Sequence, residues 1–502
     1  MGLTPAPLNA WPLAWIALIP LWRLIQTPKS LRPAQGETKL RNSLLLTACW
    51  GLGYHGLALS WITALHPLMW LGIPWLGSVA IAAFAWAFIT LWGIGIGVSW
   101  VLGMTVLTRW ARLSPISQVL VGTALWCGIE LLWSLGPLYW TSLSYTQSPD
   151  NLAILQLGKL SGHLTVTAAI VAVNGLLAMA LSMPGQRKQW CIAALVGLLS
   201  CHLAGFVLYQ RPLADRTDAA FTVGIIQGNI PTRQKLTAAG IQQAQSVYLE
   251  GYRQLSAQGV DAVLTPEGAI PNVWDLSRQR RYRFYRAVQQ AEAVLWLGTF
   301  VRAPSRVQIT QSLLALTPDE AMAGQYSKLK LVPLGEYMPL QSLLGDAIAR
   351  LSPLETNMIP GQIDQQFQSG LGPAAVGICY ESAYGWLFRH QVANGGEFII
   401  TASNNDPYPP RMMAQHHAQD VMRAVETDRW AVRGTNTGLS GLVDPHGRTR
   451  WLSVPNQRVQ HISRLYRRRT QTPYVRWGDW LTPLLLGLSG GWIGYLRLTQ
   501  RG

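Results

Sequence analysis

The chain has 502 residues, of which 49% are hydrophobic and 13% charged, and its net charge is +16. That length points to more than one domain. The positive balance does not indicate nucleic-acid binding: residues 211–478 hold 28 Lys and Arg against 20 Asp and Glu, without an aromatic-spaced basic patch or a zinc-ligand spacing.

Residues 1–210 are dominated by Leu, Trp, Ile, Ala and Gly. A bilayer-crossing helix needs roughly 20 mostly apolar residues. Such stretches lie near 8–26, 42–63, 76–107, 116–134, 163–183 and 190–209, with a seventh at 480–496. The third is long enough for a tilted helix with an interfacial lead-in, because Gly72, Pro74 and Gly77 interrupt its start. Residues 1–10 carry no basic n-region, so a signal peptide is not expected. The predicted domains are a helical membrane bundle over 1–210, a soluble-type α/β domain over 211–478 and a closing span over 479–502.

Lys and Arg in short loops set membrane orientation. Arg23, Lys29, Arg32, Lys39, Arg41, Arg109, Arg112, Arg187, Lys188, Arg497 and Arg501 fall on one side, whereas the alternate loops hold Lys159 alone. This bias places the N-terminus and residues 211–478 outside and the C-terminus inside. Arg464, Arg467, Arg468, Arg469 and Arg476 then lie outside, as a solvated basic face or as partners of lipid phosphates. Within the spans Glu130 and His55 are the clearest ionisable groups, with Asn174 as a polar addition. An intramembrane carboxylate raises a functional hypothesis, but without a second carboxylate a hydrogen bond facing the bundle interior, or a position near the interface, is the better account.

Over 211–478 apolar strand-like runs alternate with helical stretches. FTVGIIQGNI (221–230), DAVLTPEG (261–268), AVLWLGTFV (293–301), RVQITQSLLALTP (306–318), AAVGICY and EFIITASN read as strands. Helices are expected near 237–257, 277–292 and 412–428, and Asp444-Pro445-His446-Gly447 signals a hairpin. The alternation predicts a layered α/β domain.

Three strand ends carry reactive side chains: Glu267 in TPEGAIP, Lys328 in YSKLKLVPLGEYMP, with Glu336 eight residues on, and Cys379 in GICYES. A lone cysteine is often a small buried hydrophobe, and a loop-start Glu or Lys is often merely solvated. Together the three form a coherent set of a thiol, a carboxylate to take its proton and a cation for an oxyanion. Of the five cysteines only Cys379 lies in 211–478, so nothing in that domain can pair with it.

The three segments resemble the Glu-Lys-Cys triad of the nitrilase (carbon–nitrogen hydrolase) superfamily. QGNIP (227–231), PEGAIP (266–271), LVPLGEYMP (331–339) and CYES (379–382) are similar to the apolipoprotein N-acyltransferases, its membrane-bound branch. The resemblance covers nearly the whole chain. It implies a polytopic helical membrane bundle with an extracytoplasmic αββα sandwich. It also implies Glu267 as general base, Lys328 as oxyanion-stabilising cation and Cys379 as nucleophile. Glu336 would hold Lys328, and Tyr380 and Glu381 would flank the nucleophile, the Tyr380 N–H serving as a second oxyanion donor. No cofactor or metal is implied.

The chain departs from the family pattern in three places. Leu236 follows Lys235 where a tryptophan is usual, SNNDPYPP from Ser403 replaces the usual Ser-Asn-Asp-Ala-Trp-Phe, and seven spans stand in place of eight. The implied activity is transfer of an acyl chain from a membrane phospholipid to the α-amine of a diacylglyceryl apolipoprotein, by a monomer in the bacterial inner membrane with its catalytic domain on the periplasmic side. The rivals are a membrane-tethered amidase acting on a soluble amide, and a transporter or sensor with a ligand-binding outer domain.

Overall fold

The computed structural model describes residues 1–25, 33–303, 308–319, 322–333, 335–337 and 358–499. Of the positions that carry the sequence reading, Lys29, Arg32, Arg306, Val307, Leu334, Met338, Pro339 and Arg501 lie outside the described residues. The chain divides into two compact units. One comprises Met1–Thr63, Ile81–Arg211 and Thr472–Gly502, and the other Ala64–Ala80 and Pro212–Gln471.

Among the described residues, four helices are long and apolar enough to cross a membrane: Trp75–Ala111, Pro115–Leu135, Leu164–Ser182 and Pro184–Tyr209. Leu195, Val196, Leu199 and Leu203 on the last of these are exposed, as side chains facing hydrocarbon would be. The expected interruption near Gly77 does not occur. Trp75–Ala111 is one continuous helix of 37 residues, in which Pro74 precedes the first turn and so costs no helical hydrogen bond.

The expected spans at 8–26 and 42–63 are broken. The first consists of a 3₁₀ turn, Trp11–Trp15, and a short helix, Ile19–Ile25. Asn174 compensates for the break, because its Oδ1 accepts the Leu18 N–H and its Nδ2 donates to the Ala14 carbonyl, both at 2.9 Å. The second passes from the helix Pro33–Gly51 into a π-helical turn, Leu52–Gly56, and then into 3₁₀ structure at Ser60–Leu65. A closing helix spans Leu481–Thr499. Glu130 faces the unit's interior and accepts from Ser142 Oγ (2.5 Å), Trp126 Nε1 (3.1 Å) and Tyr139 OH (3.2 Å), so its polar demand is met locally.

The second unit holds two facing sheets. The first runs in the order β13 (Val459–Tyr466), β1 (Ala220–Gln227), β2 (Ala262–Leu264), β4 (Val294–Arg302), β5 (Ile309–Leu316) and β6 (Gly324–Ser327), with β3 (Ile270–Trp274) pairing with β4. The second runs β12 (Thr449–Leu452), β11 (Gly441–Val443), β10 (Ala431–Thr435), β9 (Ile399–Ser403), β8 (Pro373–Ile378) and β7 (Phe367–Gln368). Strands β1, β2 and β4 are mutually parallel, as are β8, β9 and β10.

Alternating positions explain the layering. Val223, Ile225, Leu264, Trp296 and Leu313 of the first sheet share one core with Val376, Ile378, Ile400 and Val432 of the second. The intervening residues Ile226, Val263, Leu295 and Leu314 face outward and pack on the helices Ala238–Ser256 and Arg283–Gln289. Helices Gly385–Ala393 and Pro410–Thr427 cover the second sheet. Four layers result, in the order α, β, β, α. The expected hairpin is present, with Asp444 Oδ1 accepting the His446 and Arg448 N–H groups.

Glycine permits one close approach, between β4 and the turn after β2. A Cβ at Gly298 of β4 would lie 2.0 Å from the Pro266 carbonyl oxygen, just before Glu267. Gly298→Ala is therefore expected to destabilise the second unit by about 1–3 kcal/mol. A lowered thermal midpoint in detergent would show this, and an unchanged midpoint would refute the tight approach.

Candidate active site

Glu267, Lys328 and Cys379 all sit where a strand gives out. Glu267 follows β2, Lys328 directly follows β6 and Cys379 directly follows β8. Lys328 is wholly buried, yet both its salt-bridge partners are carboxylates: Nζ lies 3.0 Å from Glu267 Oε1 and 2.5 Å from Glu336 Oε1. Burial acts to lower the lysine pKa, but the two carboxylates outweigh it and raise it well above its usual value. The site therefore contains a permanent ammonium. Burial also raises the Glu336 carboxyl, against the pull of Lys328, and its Oε2 accepts the Val332 N–H at 2.9 Å.

Cys379 opens a short 3₁₀ turn, Cys379–Ala383, and takes φ +53°. A non-glycine residue in that region is uncommon and is sustained only by its surroundings. Here His416 Nε2 lies 2.7 Å from the Cys379 carbonyl, and His416 Nδ1 lies 3.0 Å from Asn405 Nδ2. The amide can only donate, so the ring is neutral and carries its proton on Nε2. Burial, together with Arg433, lowers the His416 pKa to about 3 and keeps the ring neutral. The Cys379 thiol is pushed up by burial and by Glu267, with Lys328 opposing. It rests as a protonated thiol and needs a base to become a nucleophile.

Glu381 does more than flank the cysteine. Its Oε1 accepts the Leu329 and Lys330 N–H groups at 2.7 and 3.1 Å, and its Oε2 accepts the Ile378 N–H at 2.7 Å and the Tyr326 hydroxyl at 3.1 Å. One buried carboxylate thus joins the Lys328 segment of one sheet to the Cys379 segment of the other. The Tyr380 hydroxyl accepts from the Tyr384 hydroxyl at 2.8 Å. Lys330 lies over the Tyr384 and Trp386 rings, 4.9 and 5.4 Å from their centroids.

Several contributors were missed from sequence. The Asn404 N–H donates to Glu267 Oε2 at 2.9 Å, and Cys379 Sγ lies 3.9 Å from the Asn404 carbonyl. Asn436 Nδ2 donates to Asn404 Oδ1 at 3.1 Å and to the Ile230 carbonyl at 2.6 Å. Beneath the site Arg433 pairs with Asp420 and donates to Ser382 Oγ at 3.1 Å. The polar SNN run ending an apolar strand was the available signal for Asn404. His416, Asn436 and Arg433 had none, since their roles depend on distant partners. Among the described residues no group of three His, Cys, Asp or Glu side chains is placed to hold a metal ion.

Glu381→Gln puts an amide where four donors converge, leaving buried N–H groups without acceptors at about 1–3 kcal/mol each. We expect a clear fall in thermal midpoint, with faster hydrogen exchange at Leu329, Lys330 and Ile378. A variant with wild-type exchange at these amides would contradict the bridging role.

Comparison with known proteins identifies the family. Residues 1–176 match the apolipoprotein N-acyltransferase N-terminal domain and residues 222–454 match the carbon-nitrogen hydrolase family. The apolipoprotein N-acyltransferase of Nostoc sp. (strain PCC 7120) is 49% identical over 504 residues, covering 98% of this chain and 97% of the relative. Those of Synechocystis sp. (strain PCC 6803) and Thermosynechococcus vestitus are 45% and 44% identical, over 97% and 99% of this chain and 97% and 92% of the relatives. This chain therefore belongs to the apolipoprotein N-acyltransferase family, with apolar helices of a membrane protein in its N-terminal part and the nitrilase-superfamily fold in its second unit.

Proposed function

We propose that the protein N-acylates apolipoproteins by way of a thioester on Cys379. The observation that carries this reading is the Lys328 ammonium, bound to Glu267 and Glu336 beside a protonated thiol. Glu267 takes the thiol proton, and the thiolate attacks the ester carbonyl of a membrane phospholipid. The new C–S bond leaves an oxyanion, which Lys328 and the Tyr380 N–H stabilise. When the C–O bond breaks, Glu267 returns its proton to the departing alkoxide and a lysophospholipid leaves. The α-amine of a diacylglyceryl-cysteine then attacks the thioester and passes a proton to Glu267. The C–S bond breaks, an amide forms and the thiolate regains its proton. Both Glu267 oxygens are hydrogen-bonded at rest, but each keeps a second lone pair for this traffic. Glu336 holds Lys328 in place throughout.

Membrane helices suit a donor and an acceptor that both carry acyl chains. A membrane-tethered amidase would use the same three side chains but would not need a lipid-facing helical region, which favours the transferase. The loop charges support a multi-pass arrangement in the bacterial inner membrane, with the bundle in 1–210, the catalytic domain in 211–478 outside and a closing span after it.

Two experiments test this. Purified protein given phospholipid alone should form a stoichiometric acyl adduct on Cys379 and then stall until a diacylated lipopeptide with a free α-amine is added. Cys379→Ala should form none, and Glu267→Gln or Lys328→Ala should slow it by about 10²-fold or more. Sustained release of fatty acid without an amine acceptor, at the lipopeptide-supported rate, would make the protein a hydrolase. For sidedness, Gln258→Cys at an exposed position should react with a membrane-impermeant maleimide in intact spheroplasts. Reaction only after lysis would place the domain inside.

A further inference from the structure

A second buried lysine approaches the same carboxylate. Lys235 ends the four-residue helix Thr232–Lys235 and is only 4% exposed. Its Nζ donates to the Gly268 carbonyl at 3.0 Å. Gly268 directly follows Glu267 and takes φ +53°, so this bond grips the turn on which the carboxylate is carried.

The helix bearing Lys235 is tied to Glu267 from its other end as well. Asp406 Oδ2 accepts the Thr232 N–H and Asn404 Nδ2 donates to Thr232 Oγ1, each at 2.9 Å. The Asn404 N–H in turn reaches Glu267 Oε2. The contacts close a ring that runs from Glu267 to Asn404, to Thr232, along the helix to Lys235, to Gly268, and back along the chain to Glu267. Neither Lys328 nor Cys379 takes part in it.

The charge of Lys235 is what makes this informative. A neutral amide could donate to one carbonyl without burying an ammonium, which is costly unless opposite charge compensates. Two carboxylates supply that compensation: Glu267 after β2 and Asp406 after β9. Burial lowers the Lys235 pKa to about 8, with both acids opposing the fall. Arg233, on the same helix, instead donates to the Pro67 carbonyl at 3.2 Å. We propose that Lys235 is a positioning residue, whose ammonium fixes the turn carrying Glu267 through the Gly268 carbonyl. This rests on Glu267 being the base of the proposed reaction.

The test is the rate of acyl-Cys379 formation from an acyl-labelled phospholipid in mixed micelles, measured by intact mass between pH 5.5 and 10. It uses full-length wild type, Lys235→Met and Lys235→Arg, with thermal midpoints recorded for each. Lys235→Met should lower the maximal rate about 10- to 100-fold. Its alkaline limb should be lost, because the variant has no Lys235 proton to release. In the wild type the rate should fall above about pH 8, as Lys235 loses its proton. Lys235→Arg, charged throughout, should restore most of the rate and carry the alkaline limb upward by at least about one pH unit. A folded Lys235→Met that keeps the wild-type rate and alkaline limb would overturn the proposal. Should Lys235→Met fail to fold, an alkaline limb in Lys235→Arg identical to wild type does the same. Absence of any Cys379 adduct in the wild type is a separate result: it removes the thioester reading, and this inference with it.

Discussion

A fully buried ammonium is the constraint on which the second unit is built. Lys328 has no exposure, and an unpaired charge there would cost several kcal/mol after relaxation. Two carboxylates must therefore reach it, Glu267 from the end of β2 and Glu336 from the segment beyond β6. Three buried charges that must meet within hydrogen-bonding distance leave little freedom in how the strand ends are set. Closing them off from water also strengthens every interaction an ammonium can make with a developing oxyanion.

The layered fold satisfies this constraint by bringing two sheets to a common edge. Glu267 and Lys328 come from the first sheet and Cys379 from the second, and the seam between them is held by polar groups as well as by apolar packing. Glu381 accepts N–H groups from the segments on both sides. The Asn404 N–H, just past β9 in the second sheet, holds Glu267. His416, from a helix covering the second sheet, holds the carbonyl of the cysteine whose backbone lies in the left-handed region. Glu381 and His416 are fully buried and satisfied, as buried polar groups must be if they are to specify one arrangement.

The resting thiol is protonated because burial and neighbouring carboxylates outweigh one lysine. Such a cysteine is unreactive until a proton acceptor engages it. The hydrogen-bonded ring through Lys235, Thr232 and Asn404 holds the Glu267 turn from a side that neither Lys328 nor Cys379 touches.

Much of this was legible in the residues alone. Apolar runs of bilayer length, the strand–helix alternation after residue 211 and the reactive side chains at three strand ends all come from local pattern, because period and hydrophobicity are local properties. The resemblance of QGNIP, PEGAIP, LVPLGEYMP and CYES added the family. Hydrophobicity did not reveal that the stretches at 8–26 and 42–63 break, since an apolar window reads the same whether its helix is continuous or interrupted. Asn174, whose hydrogen bonds make one break tolerable, lies 156 and 160 residues along the chain from its two partners. The roles of Glu381, Asn404, His416 and Lys235 were hidden for a related reason. What each side chain does is set by partners that only the meeting of the two sheets and their covering helices supplies. A sequence can name the thiol, the carboxylate and the lysine, but their protonation depends on burial and on distances between segments far apart in the chain, and tertiary structure alone decides those.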